Sequence, residues 1–183
     1  MEITLQQYNQ EIKQCRDLFE KKNTDYGDSW RILRPKSVTD QIMIKALRIR
    51  SLEEKGVTKV GEGIEDEFIG IYNYAIIGLM QLKYYGQTET KSVKEIMDLY
   101  DHELEATRQL MIKKNHDYGE AWREMRISSF TDLILMKINR TKQIEDNAGA
   151  TIVSEGIDAN YQDMMNYAIF ALITFHQKQD LTL

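Results

Sequence analysis

The chain has 183 residues, enough for one core or for two small units that share one. Its composition, 42% hydrophobic and 29% charged, is that of an ordinary soluble globular protein. A net charge of −5 argues against a nonspecific grip on nucleic acid but leaves room for a small phosphorylated ligand, which needs only a few local cations. The start, MEITLQQYNQEIKQ, is polar, runs such as Ala75-Ile76-Ile77-Gly78-Leu79-Met80 are too short to span a bilayer, and Cys15 is alone. A cytoplasmic protein with no leader, membrane span or internal disulfide is therefore expected.

Leu5, Tyr8, Ile12, Cys15, Leu18 and Phe19 recur at helical spacing and predict a first helix that breaks at NTDYGD. Ser37-Val38-Thr39-Asp40 has the form of a capping box, opening a second helix through Ile42, Ile44, Leu47, Ile49 and Leu52 to Gly56. A third helix runs from about Glu62 to Tyr85 and closes at Gly86. The pattern then starts again, with Ser92-Val93-Lys94-Glu95 and Ser129-Phe130-Thr131-Asp132 as helix starts. No β-branched run alternates in period two, so no strand is predicted.

The second half repeats the first. KKNTDYGDSW at Lys21–Trp30 returns as KKNHDYGEAW at Lys113–Trp122, an offset of 92 that also pairs Tyr8 with Tyr100, Asp40 with Asp132, Lys45 with Lys137 and Arg48 with Arg140. After a one-residue insertion, Glu62-Gly63-Ile64 meets Glu155-Gly156-Ile157 and Asn73-Tyr74-Ala75-Ile76 meets Asn166-Tyr167-Ala168-Ile169. Two long copies are a domain duplication, not a solenoid. The expectation is an all-α, six-helix bundle built from three-helix repeats, 1–91 and 92–183, packed as one unit with pseudo-twofold symmetry.

Some repeated residues have structural readings. Tyr26-Gly27 and Tyr118-Gly119 suit a helix C-cap, and Asp40 and Asp132 suit capping-box acids. Lys45 with Arg48, and Lys137 with Arg140, share a helix face three residues apart; that face is a solvated edge, a salt-bridge partner or a phosphate-facing pair. On the third helix of each copy, Glu62, Glu65, Asp66 and Asn73, and Glu155, Asp158, Asp163 and Asn166, return to one stripe that continues into apolar residues. Carboxylates leading into a core-bound helix need cations, either those Lys and Arg residues or a metal. Oxygen ligands without His or Cys suit Mg²⁺ or Mn²⁺, and His102, His116 and His176 lack the spacing of a zinc site.

DYG-x-x-W, then D-x-x-x-x-K-x-x-R, then E-x-I-[ED] with an N-Y-A turn resembles the nucleotide modification associated domain family, here in tandem over nearly the whole chain. It is similar, more distantly, to the all-α nucleoside triphosphate pyrophosphohydrolases of the MazG and dimeric dUTPase group. That resemblance implies a small-molecule nucleotide as ligand and Mg²⁺ as cofactor, with water cleaving between the α and β phosphates. Glu155, Asp158 and Asp163 would then be the catalytic acids, and Glu62, Glu65 and Asp66 the other metal-binding half-set. Lys45, Arg48, Lys137 and Arg140 would face phosphates, while Tyr26, Trp30, Tyr118, Trp122, Asn73 and Asn166 would line the substrate site. The copies differ: Asp163 stands opposite Gly70, and Asp66 and Glu67 stand opposite Ala159 and Asn160. Either one copy has lost its site or acids from both line a shared cleft. A non-catalytic nucleotide-binding module and a helical homo-oligomer that associates through apolar faces are the rival readings.

Overall fold

The computed structural model describes residues 2–56 and 63–180. Six α-helices carry the fold: α1 (Glu2–Tyr26), α2 (Pro35–Lys55), α3 (Ile64–Tyr84), α4 (Val93–Tyr118), α5 (Ile127–Asp146) and α6 (Ile157–Asp180). Short 3-10 turns at Ser29–Ile32 and Ala121–Glu124 follow α1 and α4. Among the described residues there is no strand and no helix long and apolar enough to cross a membrane.

The helices form three layers. α3 and α6 pack against each other in the middle, α2 and α5 cover one side, and α1 and α4 cover the other. A helix covered on both sides must be apolar nearly all round. α3 obliges with Phe68, Ile69, Ile71, Tyr72, Ala75, Ile76, Leu79 and Met80, all buried. α6 does the same with Met164, Met165, Ala168, Ile169, Ala171, Leu172 and Ile173. The two come close where Gly78 leaves room for the Tyr161 ring; a Cβ there would lie 2.7 Å from it.

The repeats are stitched by reciprocal bonds, as a twofold arrangement requires. Tyr8 on α1 donates to Asn166 Oδ1 on α6 at 2.8 Å, and Tyr100 on α4 donates to Asn73 Oδ1 on α3 at 2.8 Å. At the α2–α5 seam Thr39 donates to Glu145 and Thr131 donates to Glu53, while Lys142 pairs with Asp40 and Arg50 with Asp132. Burial raises the carboxyl pKa of both Glu53 and Glu145.

These contacts correct two helix starts. α2 begins at Pro35, whose fixed φ suits the first helical position, so Ser37 already lies inside the first turn. α5 likewise begins at Ile127, ahead of Ser129. Asp40 and Asp132 are therefore cross-repeat ion-pair partners, not capping acids. The Ser92–Glu95 capping box is real: Glu95 N–H donates to Ser92 Oγ at 3.3 Å, and Ser92 N–H donates to Glu95 at 2.7 Å.

One inter-repeat contact has a pH dependence. His176 on α6 lies between Glu11 on α1, 2.9 Å from Nδ1, and Glu65 on α3, 3.1 Å from Nε2. Its counterpart Lys83 reaches Glu103 at 2.5 Å. Burial opposes the imidazolium charge, but hydrogen bonding and attraction to Glu11 and Glu65 outweigh it and raise the His176 pKa. A raised folded-state pKa stabilises below the unfolded value of about 6.5, and the contribution disappears as pH climbs through the folded value. His176→Gln should therefore lower Tm near pH 6 and lose that effect in alkaline buffer, in paired thermal melts. Leu172→Ala, in the fully buried middle layer, should cost about 2–5 kcal/mol in urea unfolding.

Candidate functional site

The repeated loop ends α1 and α4 in the same way. Gly27 (φ +67°) and Gly119 (φ +64°) adopt positive φ, which a side chain would strain. The 3-10 turn after each brings its tryptophan back against the bundle. Arg31 pairs with Asp28 at 3.0 Å, and Arg123 with Glu120 at 2.7 Å, to hold that turn. From here the copies diverge.

In the second repeat the tryptophan is fully accommodated. Trp122 stacks on Phe170 of α6 with ring centres 4.3 Å apart and planes 8° from parallel. Its indole N–H donates to Asn115 Oδ1 at 3.2 Å, and the Arg123 guanidinium lies 4.4 Å from its ring centre. Trp122 is buried and its face is taken, so it offers no platform to a substrate. Tyr118, expected beside it, is 78% exposed.

In the first repeat the residue at the place of Phe170 is Ile77, which has no ring to offer Trp30. A cleft of about 580 Å³ remains, lined by Phe19, Lys22, Asn23, Tyr26, Trp30, Leu33, Lys45, Asp66, Glu67, Asn73, Tyr74 and Ile77 among others. That volume is in the range of small-molecule sites. Trp30 Nε1 and Asn23 Oδ1, the counterparts of the bonded pair in the second repeat, are both buried without a partner. Each such atom costs on the order of 1–3 kcal/mol unless something answers it. The cleft is thus bordered by two residues, Trp30 and Asn23, that each hold a buried polar atom with no partner.

The charged residues follow a second divergence. Glu67, buried on α3, is gripped by two α2 cations, Lys45 at 3.3 Å and Arg48 in a closer contact. Gly70 makes this possible, because a Cβ there would sit 2.6 Å from Lys45 Cε. In the second repeat the buried acid is Asp163, one turn further along, held by Lys137 and Lys114 at 2.5 Å each. The vacated position is Asn160, whose side chain caps Gly156 O at 2.8 Å. Lys45 and Lys137 are thus conserved between copies as partners of an acid that has moved by one helical turn.

The remaining expected residues are spread out. Glu155 lines a hollow with Lys137, Arg140 and Asn160, whereas Asp158 lines another with Lys83, His102 and Glu103. Glu155, Asp158 and Asp163 therefore do not converge as a catalytic trio: Glu155 before α6 and the acids on it face different spaces. Glu65 meets His176 and Gln14, on the side of α3 away from Lys45 and Arg48. Asp66 accepts from Gly63 N–H at 2.9 Å and lies on the cleft wall; Glu62 lies outside the described residues. Among the described residues no three of His, Cys, Asp and Glu come together as metal ligands. Asn73 and Asn166 are the acceptors of the inter-repeat tyrosines, so their carbonyl oxygens are already engaged.

Sequence reasoning gives no site role to Glu67, Asn23, Lys22, Lys114, Tyr74 or Ile77. Asn23 and Lys114 stand in the repeated Lys-Lys-Asn before each loop, but nothing in the spacing shows that Asn115 Oδ1 bonds Trp122 while Asn23 Oδ1 has no partner. Because Asp163 neutralises a nearly buried Lys137, Asp163→Asn should cost on the order of 3 kcal/mol in denaturant unfolding, and should not leave the fold untouched.

Against this geometry the comparisons with known proteins add one result. The family model described as Nucleotide modification associated domain 1 matches residues 22–82 and again residues 114–175. Each matched segment runs from the end of the repeat's first helix into its third, and the first contains the Trp30 loop, α2 and nearly all of α3. No curated protein and no solved structure matches the chain. The chain belongs to the nucleotide modification associated domain 1 family and carries that domain twice.

Proposed function

We propose that the protein binds a nucleotide in the first-repeat cleft and that the second repeat is its structural partner. The observation that carries this is the pairing of open and closed versions of one site in one chain. Trp122 and Asn115 satisfy each other, whereas Trp30 and Asn23, which line the open cleft, hold a buried donor and a buried acceptor without partners. Aromatic faces from Trp30, Tyr26 and Tyr74 suit a base, and Lys22, with Lys45 shared with Glu67, supplies positive charge for a phosphate. The family's description agrees with a nucleotide as the chemical context.

Magnesium-dependent pyrophosphohydrolysis is the second reading, and one observation favours it: Asp66 and Glu67 stand side by side on the cleft wall. Glu67 is already neutralised by Lys45 and Arg48, so these two acids do not make a metal cage, and no catalytic step is built on them. Binding without turnover is the better supported function.

Titration calorimetry with nucleoside mono- and triphosphates, with and without Mg²⁺, tests this directly. At least one nucleotide should bind, and Trp30→Leu should weaken it by about tenfold or more while Trp122→Leu chiefly lowers stability. Pyrophosphate released on mixing a triphosphate with protein and Mg²⁺ would favour the hydrolase. No binding by any common nucleotide would overturn both readings.

A further inference from the structure

Phe170 and Ile77 hold the same place in α6 and α3, four residues beyond Asn166 and Asn73 respectively. In the second repeat the Phe170 ring covers Trp122 in a near-parallel stack at 4.3 Å, and the indole N–H has Asn115. Face, donor and acceptor are all answered from within the chain. In the first repeat the side chain is aliphatic, the indole N–H and the Asn23 oxygen are both buried and unanswered, and Trp30 and Asn23 line the cleft. The charges on the wall, Lys22 and Lys45 against Asp66 and Glu67, cancel formally, and Arg48, which also holds Glu67, brings the sum only to +1, so charge alone gives the cleft little hold on an anion.

Building on the reading of this cleft as a nucleotide site, we propose that its ligand is recognised chiefly through a planar heterocycle lying on Trp30 where Phe170 lies on Trp122. Polar substituents at the edge of that ring, or on the sugar attached to it, answer Trp30 Nε1 and Asn23 Oδ1. The second repeat is the same site occupied by its own side chain. Ring recognition dominates, and the phosphate contributes a smaller share through Lys22 and Lys45.

The test gives the first repeat the residue that fills the second. Ile77→Phe, with Ile77→Val as a volume control, is titrated in a calorimeter with adenine, nicotinamide, AMP, UMP and ribose 5-phosphate. Planar probes should bind the wild type and Ile77→Val, and ribose 5-phosphate should bind at least about tenfold more weakly than AMP. Ile77→Phe should lose at least about tenfold in affinity for every planar probe while its Tm holds or rises. Trp30→Leu, which removes the platform from the opposite side, should show the same loss and keeps the test sound if Ile77→Phe folds poorly. AMP binding to both variants with wild-type affinity, or ribose 5-phosphate matching AMP, overturns the ring-led site. Free heterocycles that bind the wild type and not the variants, with no nucleotide binding, keep the ring site and overturn the nucleotide reading. No probe binding the wild type overturns both.

Discussion

The double coverage of α3 and α6 governs the rest of the molecule. A helix with other helices on two sides has little solvent-facing surface on which to keep polar groups, so a polar side chain in its buried stretch gains from a protein partner. The partners come from the other repeat as often as from the same one. Asn73 and Asn166 are answered by Tyr100 and Tyr8 across the pseudo-twofold axis. Glu67 and Asp163 are answered by lysines of their own repeats, from α2 and from α4 and α5. Neither repeat could expose its third helix without stranding these groups, and so the six helices form one core.

Much of this was legible. Helix period, the 92-residue offset and the missing β alternation fixed an all-α duplication in advance, and the Lys and Arg on α2 did prove to face an α3 acid. The reading failed where it treated residues on one stripe as one cluster. A stripe on a double-covered helix faces different neighbours along its length: Glu65 meets Gln14 of α1 and His176 of α6, Asp66 lies on the cleft wall, and Asn73 meets Tyr100 of α4. Helical spacing reports direction around one axis and says nothing of what stands opposite. The boxes at Ser37 and Ser129 failed for a related reason. Pro35 had already begun α2, and Thr39 and Asp40 were repeated because the seam between α2 and α5 needs them.

The two copies also show how a buried charge can relocate. Lys45 and Lys137 keep their places, but the acid sits at Glu67 in one repeat and one turn later at Asp163 in the other. A glutamate reaching back and an aspartate standing opposite place a carboxylate near the same ammonium from different backbone positions. Gly70 and Asn160 are the residues left behind, one making room for Lys45 and the other capping Gly156. Aligned letter by letter, neither copy seems to hold a full set of acids. Compared by position in space, each holds one neutralised pair.

Tandem linkage of the halves carries a consequence of its own. In a dimer of identical chains any residue appears on both sides of the axis, so a phenylalanine that closes one cleft would close its mate. Here the two sides are separate stretches of one chain, and Phe170 fills its side while the equivalent residue, Ile77, stays aliphatic. Joining the copies released them from copying each other. One half was thereby able to become a wall, and the other kept its door.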